Sequence, residues 1–157
     1  MGIETMHPRD FGAKSLTGSA GVPRRVLALY EEGRRGAAVL REAAELSAAG
    51  AELAVVTLAP QAKPLRCCGG GGAGPYNCAV RDAAEEELVE ARSVLGSLAG
   101  RASFTRLVGT PTPPLAAWAG RQPFDLILLP GRRFGRGGGP LARELRAATG
   151  AEIRFIR

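Results

Sequence analysis

The chain has 157 residues, 45% of them hydrophobic, which is enough for one domain with a core. Formal net charge is +6, with 19 Arg and 2 Lys. The basic residues are scattered and only 8 residues are aromatic, so a dedicated nucleic-acid surface is not expected. No apolar run approaches the ~18 residues of a membrane span, and the first residues lack the apolar core of a secretory signal. A cytoplasmic protein with no membrane contact is expected.

Residues 1–23 are mostly polar or small, with Gly, Ser and Pro throughout, and read as a disordered N-terminal tail before a domain over 24–157. Arg25 to Tyr30 is a buried strand. Arg34 to Ala49 is helical, with Val39, Ala43 and Leu46 in one row and Gly50 where a helix-ending glycine belongs. Glu52 to Leu58 is the second strand, ended by Ala59-Pro60. An irregular segment, Gln61 to Asn77, holds Cys67-Cys68 and the run Gly69 to Gly72. Asn77 is the expected cap of the next helix, whose stripe is Ala84, Leu88, Ala91, Leu95 and Leu98, with Gly100 as its end. Ser103 to Val108 is the third strand. Thr112 caps a helix with Pro113 in its first position, and Leu115, Trp118 and Ala119 point inward, Trp118 as a core anchor. Asp125 to Leu129 is the fourth strand. Pro140 opens the last helix, with Leu141, Leu145 and Ala148 on one face, and Glu152 to Ile156 is the fifth strand.

Strands and helices alternate strictly. That order implies an α/β fold of three layers, an open and mostly parallel five-stranded sheet with helices on both faces. Ligands in such sheets bind beyond the carboxyl ends of the strands, where the strand order switches.

Three passages resemble the universal stress protein family, a branch of the Rossmann-like adenine-nucleotide-binding α/β folds. VLALYEEG (Val26 to Gly33) is similar to the family's first strand and the Asp-Gly-Ser after it. Val108-Gly109-Thr110-Pro111, a helix, and Phe124 to Leu129 resemble its Gly-x-Pro and Ala-Asp-Leu-Ile passages. The glycine-rich loop, helix and terminal strand complete the likeness, which spans Arg24 to Arg157. The resemblance implies strand order 3-2-1-4-5 and a homodimer through the C-terminal strand. It also implies adenine near the ends of the first two strands, with Glu31 and Val56 lining the site and Glu31 placed to meet a ribose hydroxyl or a metal-bound phosphate, and phosphates on a Gly-x-x-Gly…Gly-Ser/Thr loop.

Here the phosphate motif is degenerate. Pro130 stands where the family has glycine, and it has no N–H to offer. Starting from Gly131, the next motif glycine falls on Phe134 and the late one on Glu144. Starting from Gly135, Gly138 fits, but the late Gly-Ser/Thr falls on Ala148-Thr149. Glu31 replaces the family's aspartate. The loop still carries the parts of an anion site: Gly131, Gly135, Gly137, Gly138 and Gly139 supply amides, and Arg132, Arg133 and Arg136 supply fixed charge. The helix that Pro140 opens adds its positive end.

Cys67, Cys68 and Cys78 are three candidate redox residues, with a disulfide from Cys67 or Cys68 to Cys78 as a latch; their spacing does not suit zinc. His7, the sole histidine, lies in the tail, and no nucleophile–base set or Walker motif occurs. No catalytic residue is expected, and slow nucleotide hydrolysis is the most the pattern leaves. The reading is a small stress-response regulatory or protective protein whose cofactor is ATP or another adenine nucleotide. The alternative is an interaction or scaffold protein of the same fold that binds no nucleotide and uses the cysteine loop as a surface.

Overall fold

A computed structural model of the chain describes residues 21–63, 73–110, 114–131 and 139–157. The elements in order are β1 (Arg25–Leu29), α1 (Arg34–Ala48), β2 (Glu52–Pro60), α2 (Ala73–Leu95), a 3-10 turn (Gly96–Arg101), β3 (Ala102–Gly109), α3 (Leu115–Ala119), β4 (Leu126–Pro130), α4 (Pro140–Thr149) and β5 (Glu152–Ile156). The strands form one sheet, all parallel, in the order β3-β2-β1-β4-β5.

β1 is the centre of the molecule. Val26, Leu27 and Ala28 have no exposed surface, so both sheet faces are covered at this strand. Side chains alternate between two cores. Val26, Ala28 and Tyr30 meet Val39, Leu40 and Ala43 of α1 and Leu88, Ala91 and Leu95 of α2. Leu27 and Leu29 meet Leu115 and Ala119 of α3 and Ala142 and Leu145 of α4. Each fully buried Leu or Val contributes about 1.5–3 kcal/mol.

Several boundaries differ from the sequence reading. β2 runs on through Pro60 because its nitrogen needs no partner: the Gln61 N–H donates to the Gly109 carbonyl on the β3 side. Alternation therefore turns the Pro60 nitrogen toward β1, which has already ended. Asn77 is not a cap. It lies inside α2, and its side-chain amide accepts from the Ala62 N–H at 2.8 Å and donates to the Ala62 carbonyl at 3.1 Å. α2 ends at Leu95, not Gly100, and Leu98 joins the core from the 3-10 turn. Thr112 and Pro113 lie outside the described residues.

Trp118 is half-buried rather than a core anchor. In five residues of helix, Leu115 and Ala119 take the inward row, and Trp118 sits beside it against Phe124, ring centroids 5.9 Å apart. Ala148 is exposed; the sheet selects Ala142 and Leu145 as the inward face of α4. Asp125 precedes β4 and accepts the Arg24 and Arg25 backbone N–H groups, both at 2.9 Å. Gly50 and Gly150 follow α1 and α4 at positive φ, in the places the sequence suggests.

Ser47 of α1 is fully buried, and its hydroxyl meets no partner among the described residues. An unpaired buried hydroxyl costs about 1–3 kcal/mol. Ser47→Ala is expected to raise the urea midpoint, by about 1 kcal/mol of stability at unchanged m-value. A lowered midpoint would show that the hydroxyl is paired.

Candidate functional site

The strand order switches between β1 and β4: β1 leads into α1 on one face of the sheet, and β4 leads toward α4 on the other. Their ladder covers Val26 to Ala28 against Leu126 to Leu128 and stops there. The carboxyl ends beyond it form the crevice in which such folds place ligands.

The β1 side is held by backbone contacts. The Tyr30 N–H donates to the Val56 carbonyl at 2.9 Å. The Glu32 N–H donates to Glu87 Oε1 at 3.3 Å, which ties the turn to α2. Gly36, one of the buried residues of α1, passes against this turn. A Cβ there would overlap the Glu31 carbonyl oxygen and lie 2.8 Å from the Tyr30 ring. Only glycine fits the approach, and the sole trace of this in the sequence is a glycine in the first turn of α1.

Glu31 is exposed at this turn. Val56 is fully buried, and its carbonyl is the one that Tyr30 engages. On the β4 side, the Gly131 N–H donates to the Ile156 carbonyl at 2.6 Å, and a Cβ on Gly131 would come within 2.7 Å of that same oxygen. This glycine serves the close passage of β4 beside β5, and its amide is already spent. The same alternation turns the Pro130 nitrogen toward β1, past the end of their ladder, so proline costs the sheet nothing there. Gly139 caps α4, its carbonyl accepting from Ala142 at 3.0 Å, and Pro140 fills the first helical position. Arg132, Arg133, Gly135, Arg136, Gly137 and Gly138 lie outside the described residues, as do Cys67 and Cys68. Cys78 is exposed on α2. Among the described residues no three ligating side chains group as a metal site.

The β1 side is acidic. Burial raises the Glu87 carboxyl above the usual range; the Glu32 N–H opposes this, and the carboxylates of Glu31, Glu32 and Glu90 reinforce it. Burial, then Glu90, Glu87 and Glu32, raise the Tyr30 phenol, which stays protonated at neutral pH. The carboxylates on the β1–α2 side disfavour an anionic group placed beside them.

The raised Glu87 value has a consequence for stability. The folded protein binds this proton more tightly than the unfolded chain does. Its contribution is complete at pH below the ordinary carboxylate value and is lost as pH rises through the raised one. Glu87→Gln keeps the acceptor for the Glu32 N–H and removes the titration. Urea unfolding across acidic to neutral pH should show a flatter profile for the variant and higher stability than the parent at neutral pH. Parallel profiles would show that Glu87 is not perturbed.

No family model matches the chain, and no curated protein is similar to it in sequence. Solved structures are similar. The universal stress protein from Archaeoglobus fulgidus is 22% identical, with 85% of this chain and 92% of that one covered and a TM-score of 0.60. A universal stress protein from Archaeoglobus fulgidus in complex with dAMP gives 23% identity, 85% and 96% coverage and a TM-score of 0.60. A universal stress protein in complex with cAMP is 16% identical over 87% and 99%, with a TM-score of 0.56. Strand order, parallel pairing and these likenesses agree: the chain has the fold of the universal stress proteins.

Proposed function

We propose that the protein is a small regulatory or protective protein of the universal-stress type that binds an adenine nucleotide in the β1–β4 crevice. The observation that carries this reading is the divergence of β1 and β4 after Ala28 and Leu128, with the glycine-preceded ends of α1 and α4 beyond it. The dAMP and cAMP complexes of two proteins of the same fold support it. In this reading Glu31 meets the ribose hydroxyls and the Val56 backbone forms the floor near adenine. The loop from Gly131 to Gly139, with Arg132, Arg133, Arg136 and the amides of Gly135, Gly137 and Gly138, takes the phosphates. The acidic β1 side directs the phosphates there. The role is binding rather than turnover, in the cytoplasm.

One observation favours a second reading, an interaction protein of the same fold without nucleotide. The Gly131 amide is engaged with Ile156 and Pro130 has none, so the start of the loop offers no donor. Calorimetric titration with ATP, ADP, AMP and cyclic AMP separates the two. We expect saturable heat with at least one nucleotide, weakened about tenfold or more by the double variant Arg132→Ala/Arg133→Ala. Absence of heat with all four at millimolar concentration would leave the interaction reading.

A homodimer through β5 belongs to the same proposal. β5 pairs with β4 alone, and Phe155 on it is 38% exposed. An edge strand with an exposed aromatic is a ready surface for a second copy. Arg154 does not oppose this, since Glu42 at 2.9 Å and Glu152 at 3.2 Å hold it. Sedimentation should give a dimer for the parent chain and a monomer for Phe155→Glu. A parent chain that sediments as a monomer at high micromolar concentration would exclude this interface.

A further inference from the structure

We propose that the opposite, amino-terminal end of the sheet carries a second binding site, for a small organic monocarboxylate. A pocket of about 300 Å³ opens there, lined by Arg25, Glu52, Ala54, Arg101, Ser103 and Phe124. α3 is only five residues long and packs beside α4, so among the described residues no helix covers the amino ends of β2 and β3 on this face. The volume is at the lower end for small-molecule sites, which limits the ligand to a ring or a short chain.

The chemistry of the lining is specific. Arg25 is held on two sides: its Nε lies 3.1 Å from Glu52 Oε2, and its guanidinium carbon lies 5.6 Å from the centroid of the Phe124 ring. The ion pair engages one edge of a group that carries five donors in a fixed plane. Among the described residues, no second carboxylate pairs with Arg25 and none pairs with Arg101. The Asp125 carboxylate is close by but is directed at the backbone N–H groups of Arg24 and Arg25. Arg25 and Arg101 stand against Glu52 in the lining, and the nearby Asp125 carboxylate offsets much of the remaining charge, so the site suits a monoanion rather than a doubly charged phosphate. Ala54 and Phe124 give the apolar wall for the body of the ligand, and the Ser103 hydroxyl is a further donor.

Benzoate is the probe, and its neutral counterpart benzyl alcohol is the control. Backbone amide spectra of the full chain should show saturable benzoate shifts at Ala54, Arg101 and Ser103, complete by about 10 mM. Benzyl alcohol should be at least about tenfold weaker, as should benzoate on Arg101→Glu. Arg101 is exposed, so this variant is expected to fold, and Arg101→Gln serves if its spectrum is not dispersed. Shifts that do not saturate, equal binding of benzyl alcohol, or an Arg101 variant that binds as the parent does would each overturn the site. Adenine nucleotides should leave these amides unmoved, so this result is independent of nucleotide binding at the other end.

Discussion

The structure depends on the burial of one short strand. β1 offers three side chains with no exposed surface, Val26, Leu27 and Ala28, two toward one core and one toward the other. A strand covered on both faces must lie between neighbours and under two helix layers. That requirement makes β1 the place where the chain changes direction across the sheet, with β2 and β3 laid on one side and β4 and β5 on the other. The crevice is a consequence of this arrangement. A strand that feeds α1 on one face next to a strand that feeds toward α4 on the other leaves a gap at the carboxyl ends.

The two sides of that gap are built by different means. On the β1 side a backbone collision that only glycine avoids sets the turn: Gly36 against the Glu31 carbonyl. Four glutamates stand around it, and the field they create reaches Tyr30 and Glu87. On the β4 side the first glycine of the loop is consumed by the sheet itself, where β4 passes close beside the end of β5. Carboxylates therefore gather on the β1 side of the gap. The amino end of the sheet is mixed in charge. There Asp125 closes the backbone of Arg24 and Arg25, and short α3 leaves arginines and an aromatic ring around a small pocket.

Much of the fold was legible in the residues. The alternation of strands and helices, the stripe from Ala84 to Leu95, and the glycines after α1 and α4 each express a local physical rule, and each is found in place. Boundaries were less legible, because the features that moved them are not local. Asn77 has the chemistry of a cap, but it finds a better pair of partners in the Ala62 backbone. Pro60 reads as a strand end, yet it lies in the strand because the neighbour on its nitrogen side has already stopped. Trp118 and Ala148 are apolar at helical spacing, but the sheet admits only one row from each short helix. Of the candidate site, the sequence placed an acidic residue, Glu31, just beyond the first strand, and it is exposed there. Gly36, Glu87 and the engaged amide of Gly131 were not, since each depends on a residue distant in sequence or on a close passage of backbone.

The sequence by itself determined the class of architecture, because hydrophobic period and turn residues are local properties that parallel α/β chains display strand by strand. By resemblance it also implied the strand order, and with it the switch at the carboxyl ends of β1 and β4. Only the tertiary structure decided that the Gly131 donor at that end is engaged and that carboxylates gather beside the β1 turn. Those depend on the approach of strands and helices far apart in the chain, β5 beside Gly131 and α2 beside the β1 turn, and no spacing within the sequence encodes such distances.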